Sequence, residues 1–160
     1  MTEDRLATAW ASIDSYGEED FRALIDSLVA SAPSAVRAFE QACAWDSTGH
    51  SDRAVPLYRA ALATGLTGLR RRRATIQLAS SLRNLGAVEE SVALLSAELA
   101  ASVDDPEAVA LDDAVRGFLA LALVDAGRAR EAASLALGAL APHLPRYQRS
   151  LGAYAGALVE

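Results

Sequence analysis

Few side chains in this 160-residue chain are equipped for chemistry. The two histidines are far apart, His50 beside a turn glycine and His143 between two prolines. Cys43 is the single cysteine and has no histidine close to it in the sequence. No histidine and cysteine spacing suits a metal, and no glycine-rich phosphate loop or nucleophile elbow is present. The expectation is a chain without catalytic residues, metal ligands or cofactor, and not an enzyme. In that reading Cys43 is a small thiol buried on a helix.

The chemistry on offer is recognition. Arg73, Gln77, Ser80 and Asn84 are spaced four, three and four residues apart, which places them on one face of a helix. Arg70 extends the stripe backwards by one turn, and Ala74, Leu78, Leu82 and Leu85 form the opposite, core-facing stripe. Arginine offers paired donors, while asparagine offers donors and an acceptor, so together they suit a carboxylate or an extended peptide backbone. Two plainer readings stand beside this one. The stripe is also what the solvated face of an amphipathic helix looks like, and Arg83 could pair with Asp46 or Asp125 as a structural bridge between repeats.

Charge narrows the partners. The net charge is −6 and all fifteen basic residues are arginine, a balance that opposes general attraction to phosphate backbones. The run Arg70 to Arg73 points in four directions around a helix, so it does not form one phosphate track. Arg71 and Arg72 are expected at the surface or paired with acids, and no nucleic acid is expected as a partner. No apolar run reaches the roughly 18 residues of a membrane span, so no membrane association is expected. The lone cysteine and an acidic, amphipathic opening segment without secretory features suggest the cytoplasm.

The elements that must position these residues are helices. Hydrophobic residues make up 52% of the chain and 36 residues are alanine, the best helix former. No sustained alternation of β-branched and polar residues marks a strand. The spacing predicts helices over 2–15 and 18–31, and then three pairs: 34–47 with 51–64, 66–85 with 88–101, and 106–126 with 129–141. A last helix is expected over 146–159, with Tyr147, Leu151, Tyr154 and Leu158 on one face. Gly49, Gly86 and Gly127 mark tight turns between antiparallel partners. Gly117, inside a helix, is read as a site of close packing.

Aligning the pairs on those glycines exposes a repeat. Seven residues before each stands an alanine (Ala42, Ala79, Ala120), and four before stands a large residue (Trp45, Leu82, Leu123). Five after come the small residues Ala54, Ser91 and Ala132; nine after come Tyr58, Leu95 and Ala136; twelve after come Ala61, Glu98 and Ala139. Small residues let helices cross closely and large ones fill the gaps. This pattern resembles the tetratricopeptide repeat, with Gly49, Ala54, Tyr58 and Ala61 as the best match. The usual early tryptophan is replaced by Ala38, Thr75 and Arg116, and Glu98 and Ala136 depart from the pattern as well. Segments such as QACAWDSTG, RRRATIQLASSLRNLG and LPRYQRSL resemble the bacterial tetratricopeptide-repeat group 5 domain over roughly residues 18–155.

The resemblance implies an all-α, right-handed α-solenoid. Its expected parts are N-terminal helices (1–33), three repeats (34–65, 66–105, 106–141) and a capping helix (142–160) in one domain. It also implies that the first helix of each pair lines a concave groove. By position, that carries Arg73, Ile76, Ser80, Arg83 and Asn84 into the groove from the second repeat. From the first come Val36, Phe39, Cys43, Asp46 and Ser47, and from the third Ala114, Gly117, Leu121, Val124 and Asp125. With Gln77, this forms a polar and cationic centre between apolar patches around Phe39 and Leu121. The implied function is a protein–protein interaction scaffold that binds a peptide segment. The alternative is a homodimer or larger self-assembly through the terminal helices. The stripe Leu6, Trp10 and Ile13 is expected either to cap the repeats or to self-associate.

Overall fold

The computed structural model describes residues 2–160, with Thr2 described by its backbone alone. Among the described residues there are ten α-helices and no strand, an all-α helical-repeat fold. The helices are α1 (Thr2–Ala11), α2 (Glu18–Val29), α3 (Ser34–Ser47), α4 (Ser51–Ala63), α5 (Gly68–Asn84), α6 (Val88–Ala100), α7 (Pro106–Val109), α8 (Asp112–Asp125), α9 (Ala129–Leu140) and α10 (Gln148–Gly156). The chain falls into two compact units, Met1–Ser81 and Leu82–Glu160, whose boundary lies inside α5.

Three turns share one geometry. Gly49 adopts φ +81°, a left-handed conformation that only glycine takes without cost. This lets the N–H of His50 turn back to the carbonyl of Trp45 at 2.9 Å, satisfying an acceptor that the end of α3 leaves open. Gly86 and Gly127 repeat the turn, with Ala87 donating to Leu82 at 2.9 Å and Arg128 to Leu123 at 2.8 Å. The three acceptors are the aligned large residues, so the repeat exists in the backbone as well as in the sequence.

In the first unit, α3 and α4 pack as an antiparallel pair, with Ala42, Ala54, Tyr58 and Ala61 all fully buried between helices. The α1 and α2 helices cover one side of α3. Leu6, Ala9, Phe21, Ile25, Leu28, Val29 and Ala44 form a common core, with Trp10 and Ile13 packed against it. The N-terminal stripe therefore caps the neighbouring helices. Trp10 meets Phe21 edge-on at 5.0 Å, an arrangement that suits the aromatic quadrupoles.

The second unit pairs α8 with α9, sets α6 against α8, and closes with α10 against α9. The helix expected over 106–126 is divided. Asp105 caps the short α7, accepting from the Glu107 N–H at 3.0 Å. The chain then turns at Ala110 and Leu111 before α8 begins with Asp112 and Asp113. Acidic residues favour a helix start, which explains a new helix at this point. The N-terminal helix likewise ends at Ala11, and a 3-10 turn follows over Ile13–Ser15. Gly117 is not a close-packing site, since a Cβ added there would meet no atom within 4 Å.

Candidate functional site

Of the α5 residues singled out in the sequence, the first unit holds Arg73, Ile76, Gln77 and Ser80. Arg73 is exposed, and Gln77 and Ser80 are half-buried beside it. Ala74, Thr75, Leu78 and Ala79 are buried, so α5 does divide into a polar outer face and a packed inner one. Ile76, expected in or beside the groove, is buried.

Two expected groove residues lie inside the unit. Phe39 and Cys43 are buried, at 0% and 2% exposure, so neither offers a surface to a partner. Each supports the outer face from beneath. The Arg73 guanidinium lies 5.4 Å from the centre of the Phe39 ring, within cation–π range. Cys43 Sγ donates to Gln77 Oε1 at 3.4 Å, a bond that does not itself engage the Gln77 amide nitrogen. Burial is the main reason the Cys43 thiol is pushed up to about 12, with the Glu40 carboxylate adding to it. The sulfur is therefore a neutral thiol and not a nucleophile.

Asp46 has a structural role. Its Oδ1 accepts from Ser81 at 2.8 Å and Ser51 at 3.3 Å, and its Oδ2 accepts from Tyr58 at 3.3 Å. These three hydroxyls come from α5 and α4, so one carboxylate ties three helices together. Burial, and then the neighbouring Cys43 and Asp46, hold the Tyr58 hydroxyl well above its ordinary range.

The arginine run is dispersed, as its spacing requires. Arg70 pairs with Glu3 on α1 and reaches Glu40 on α3 at 3.4 Å. Arg71 is half-buried, and Arg73 alone of the four is exposed. Arg72, expected at the surface or paired, is 2% exposed. The run is thus largely built into the helix packing and offers no continuous cationic track.

In the second unit, Arg83 and Asp125 meet at 2.6 Å, the bridge weighed as one plainer reading. Asn84 is exposed. Leu121 and Val124 are exposed on α8 at 47% and 56%, and Phe118 joins them at 36%. Phe118 was missed in the sequence, although it stands three residues before Leu121 on the same face. Leu85, assigned to the core, is 51% exposed, because α5 ends at Asn84 and the chain has already turned.

Among the described residues, no three histidine, cysteine, aspartate or glutamate side chains converge as metal ligands. No helix is long and apolar enough to cross a membrane. The model of the tetratrico peptide repeat family matches residues 35–158. Comparison with curated proteins and with solved structures gave no match.

Proposed function

Since the chain belongs to the tetratrico peptide repeat family, we propose that it is a non-enzymatic scaffold that binds a peptide segment of a partner protein along the first helices of its repeats. The observation that carries this reading is the divided α5 helix, with Arg73 exposed above Phe39 and Gln77 beside it, while Ala74 and Leu78 are buried behind. Arg73 and the Gln77 amide supply donors for a carboxylate or for peptide carbonyls. The second unit, taken by itself, exposes Asn84, Leu121 and Val124, a polar and an apolar surface of its own. Arg83 is assigned to its bridge with Asp125 and not to the partner. The cytoplasm is the compartment we propose, as a single buried thiol suits reducing conditions.

The double substitution Arg73→Glu with Asn84→Ala tests the proposal. Partner capture from a lysate of the native host should be lost, while helicity and melting temperature stay close to those of the wild type. Unchanged capture would refute the assignment of this face.

A further inference from the structure

Two surfaces that peptide recognition does not use complement one another. The first surrounds the start of α10. Tyr147 and Tyr154 are 77% and 72% exposed, while Leu151 and Leu158 are half-buried and Ala155 is buried beneath them. Tyr147 adopts φ +69°, and it is the one non-glycine residue with positive φ among those described. For a bulky side chain that conformation is costly, and such outliers persist where something beyond local stability holds them. Arg146 and Arg149 flank the two rings, and no acidic residue occurs from Ala132 to Val159. The surface is aromatic and cationic.

The second surface lies on the α1 and α2 layer. A hollow of about 200 Å³ is lined by Arg5, Thr8, Ser12, Tyr16, Leu24 and Leu28. Cavities of about 150 Å³ hold a benzene ring, so there is room for one phenol. Asp14, Glu18, Glu19 and Asp20 are exposed on the adjoining turn and helix start, and no basic residue occurs from Leu6 to Phe21. Glu18 faces Arg22 and His50 at 3.8 and 3.9 Å.

We infer that the chain self-associates head to tail. The Tyr147 and Tyr154 surface of one copy docks on the α1–α2 hollow of a second copy, with Arg146 and Arg149 meeting Asp14, Glu19 and Asp20. The occupant is a second copy because the two surfaces are opposite in charge, the hollow has room for one ring, and the chain carries both. Tyrosine and arginine are the residues that most often dominate interface energies. Two different patches make the contact heterologous, which gives a closed ring or an open chain according to the rotation between copies. The inference is independent of the peptide-binding reading, because neither surface includes the α5 stripe.

Sedimentation velocity over a range of concentrations tests it on the full chain. Tyr147→Gly removes one ring and also relieves the backbone, so its melting temperature should be unchanged or higher. Thr8→Trp places an indole in the hollow from an exposed helix position. The wild-type average mass should rise with concentration, and less so in high salt. Each variant alone should be monomeric where the wild type associates, its association weakened by roughly 10-fold or more. An equimolar mixture of the two should form a one-to-one dimer and nothing larger, since it retains one working pair of surfaces. A wild type that is monomeric at every concentration would overturn the inference. So would association that survives Thr8→Trp or Tyr147→Gly, or a mixture that stays monomeric.

Discussion

The Arg83 guanidinium donates to the Asp125 carboxylate at 2.6 Å, and both side chains remain partly open to solvent, at 26% and 41%. The contact joins the end of α5 to the end of α8 within the second unit. Solvent screening limits what such a pair adds to stability. A double-mutant cycle with Arg83→Ala and Asp125→Ala should give a coupling of about 1 kcal/mol or less in urea unfolding. A much larger coupling would show that the pair is a main fastener of the unit.

Glu40 should matter more. It is 5% exposed, accepting from Trp10 Nε1 at 3.0 Å and from Arg70 Nε at 3.4 Å. One carboxylate thereby fastens α1 and α5 to α3. Removing it leaves a partly buried indole N–H without its acceptor, while Arg70 keeps its pair with Glu3. Glu40→Ala should cost roughly 2 kcal/mol, because unsatisfied buried groups are penalised by about 1–3 kcal/mol each and half-open Arg70 adds little. Glu40→Gln should cost less, since its carbonyl can still accept from Trp10. Urea midpoints followed by tryptophan fluorescence would measure both, and equal costs would argue against the Trp10 bond.

The helices and their repeat were legible because glycine, proline and alanine act locally. Gly49 sets its turn whatever else the chain does, and Pro33 suits a start one residue before α3. The site was legible only in outline. Helical spacing gives a residue's angle around its own axis and not the depth to which neighbouring helices bury it. Arg73 and Phe39 were carried to the same groove, yet one is exposed and the other lies beneath it. Asp46 was carried to the groove or to a bridge with Arg83, because its partners Ser51, Tyr58 and Ser81 come from helices whose approach no local rule specifies. Leu85 was misplaced for a simpler reason. It continues the apolar period of α5 by one step, but the helix stops at Asn84.

Two glycine-to-alanine substitutions should have opposite signs. Gly49 has open space where a Cβ would stand but sits at φ +81°, so alanine there is strained by the backbone and should cost about 1 kcal/mol. Gly117 lies within α8 with equally open space and no positive φ. There alanine lowers the entropy lost on folding and should add about 0.5–1 kcal/mol. Thermal unfolding of the two variants decides the matter. A loss of stability at Gly117 would mean that the α8 surface is in contact with something a methyl group disturbs.

The buried Cys43 makes alkaline stability testable. Its thiol titrates near 9.0 as an ordinary group and is pushed up to about 12 in the folded chain, first by burial and then by Glu40. Between those values the unfolded chain has released the proton while the folded chain retains it. The folded state then binds more protons, so unfolding stability falls as pH rises through that window. Below about pH 9 both states hold the proton and this contribution is constant. Cys43→Ser, which removes the titrating thiol but keeps a small donor towards Gln77, should flatten the decline between pH 9 and pH 11 in urea unfolding. The same burial should make the native thiol slow to react with an alkylating reagent at pH 8, and unfolding in urea should restore ordinary reactivity. Rapid alkylation of the folded protein, together with an unchanged pH profile in Cys43→Ser, would show that the α3–α4 pair opens readily enough to expose its centre.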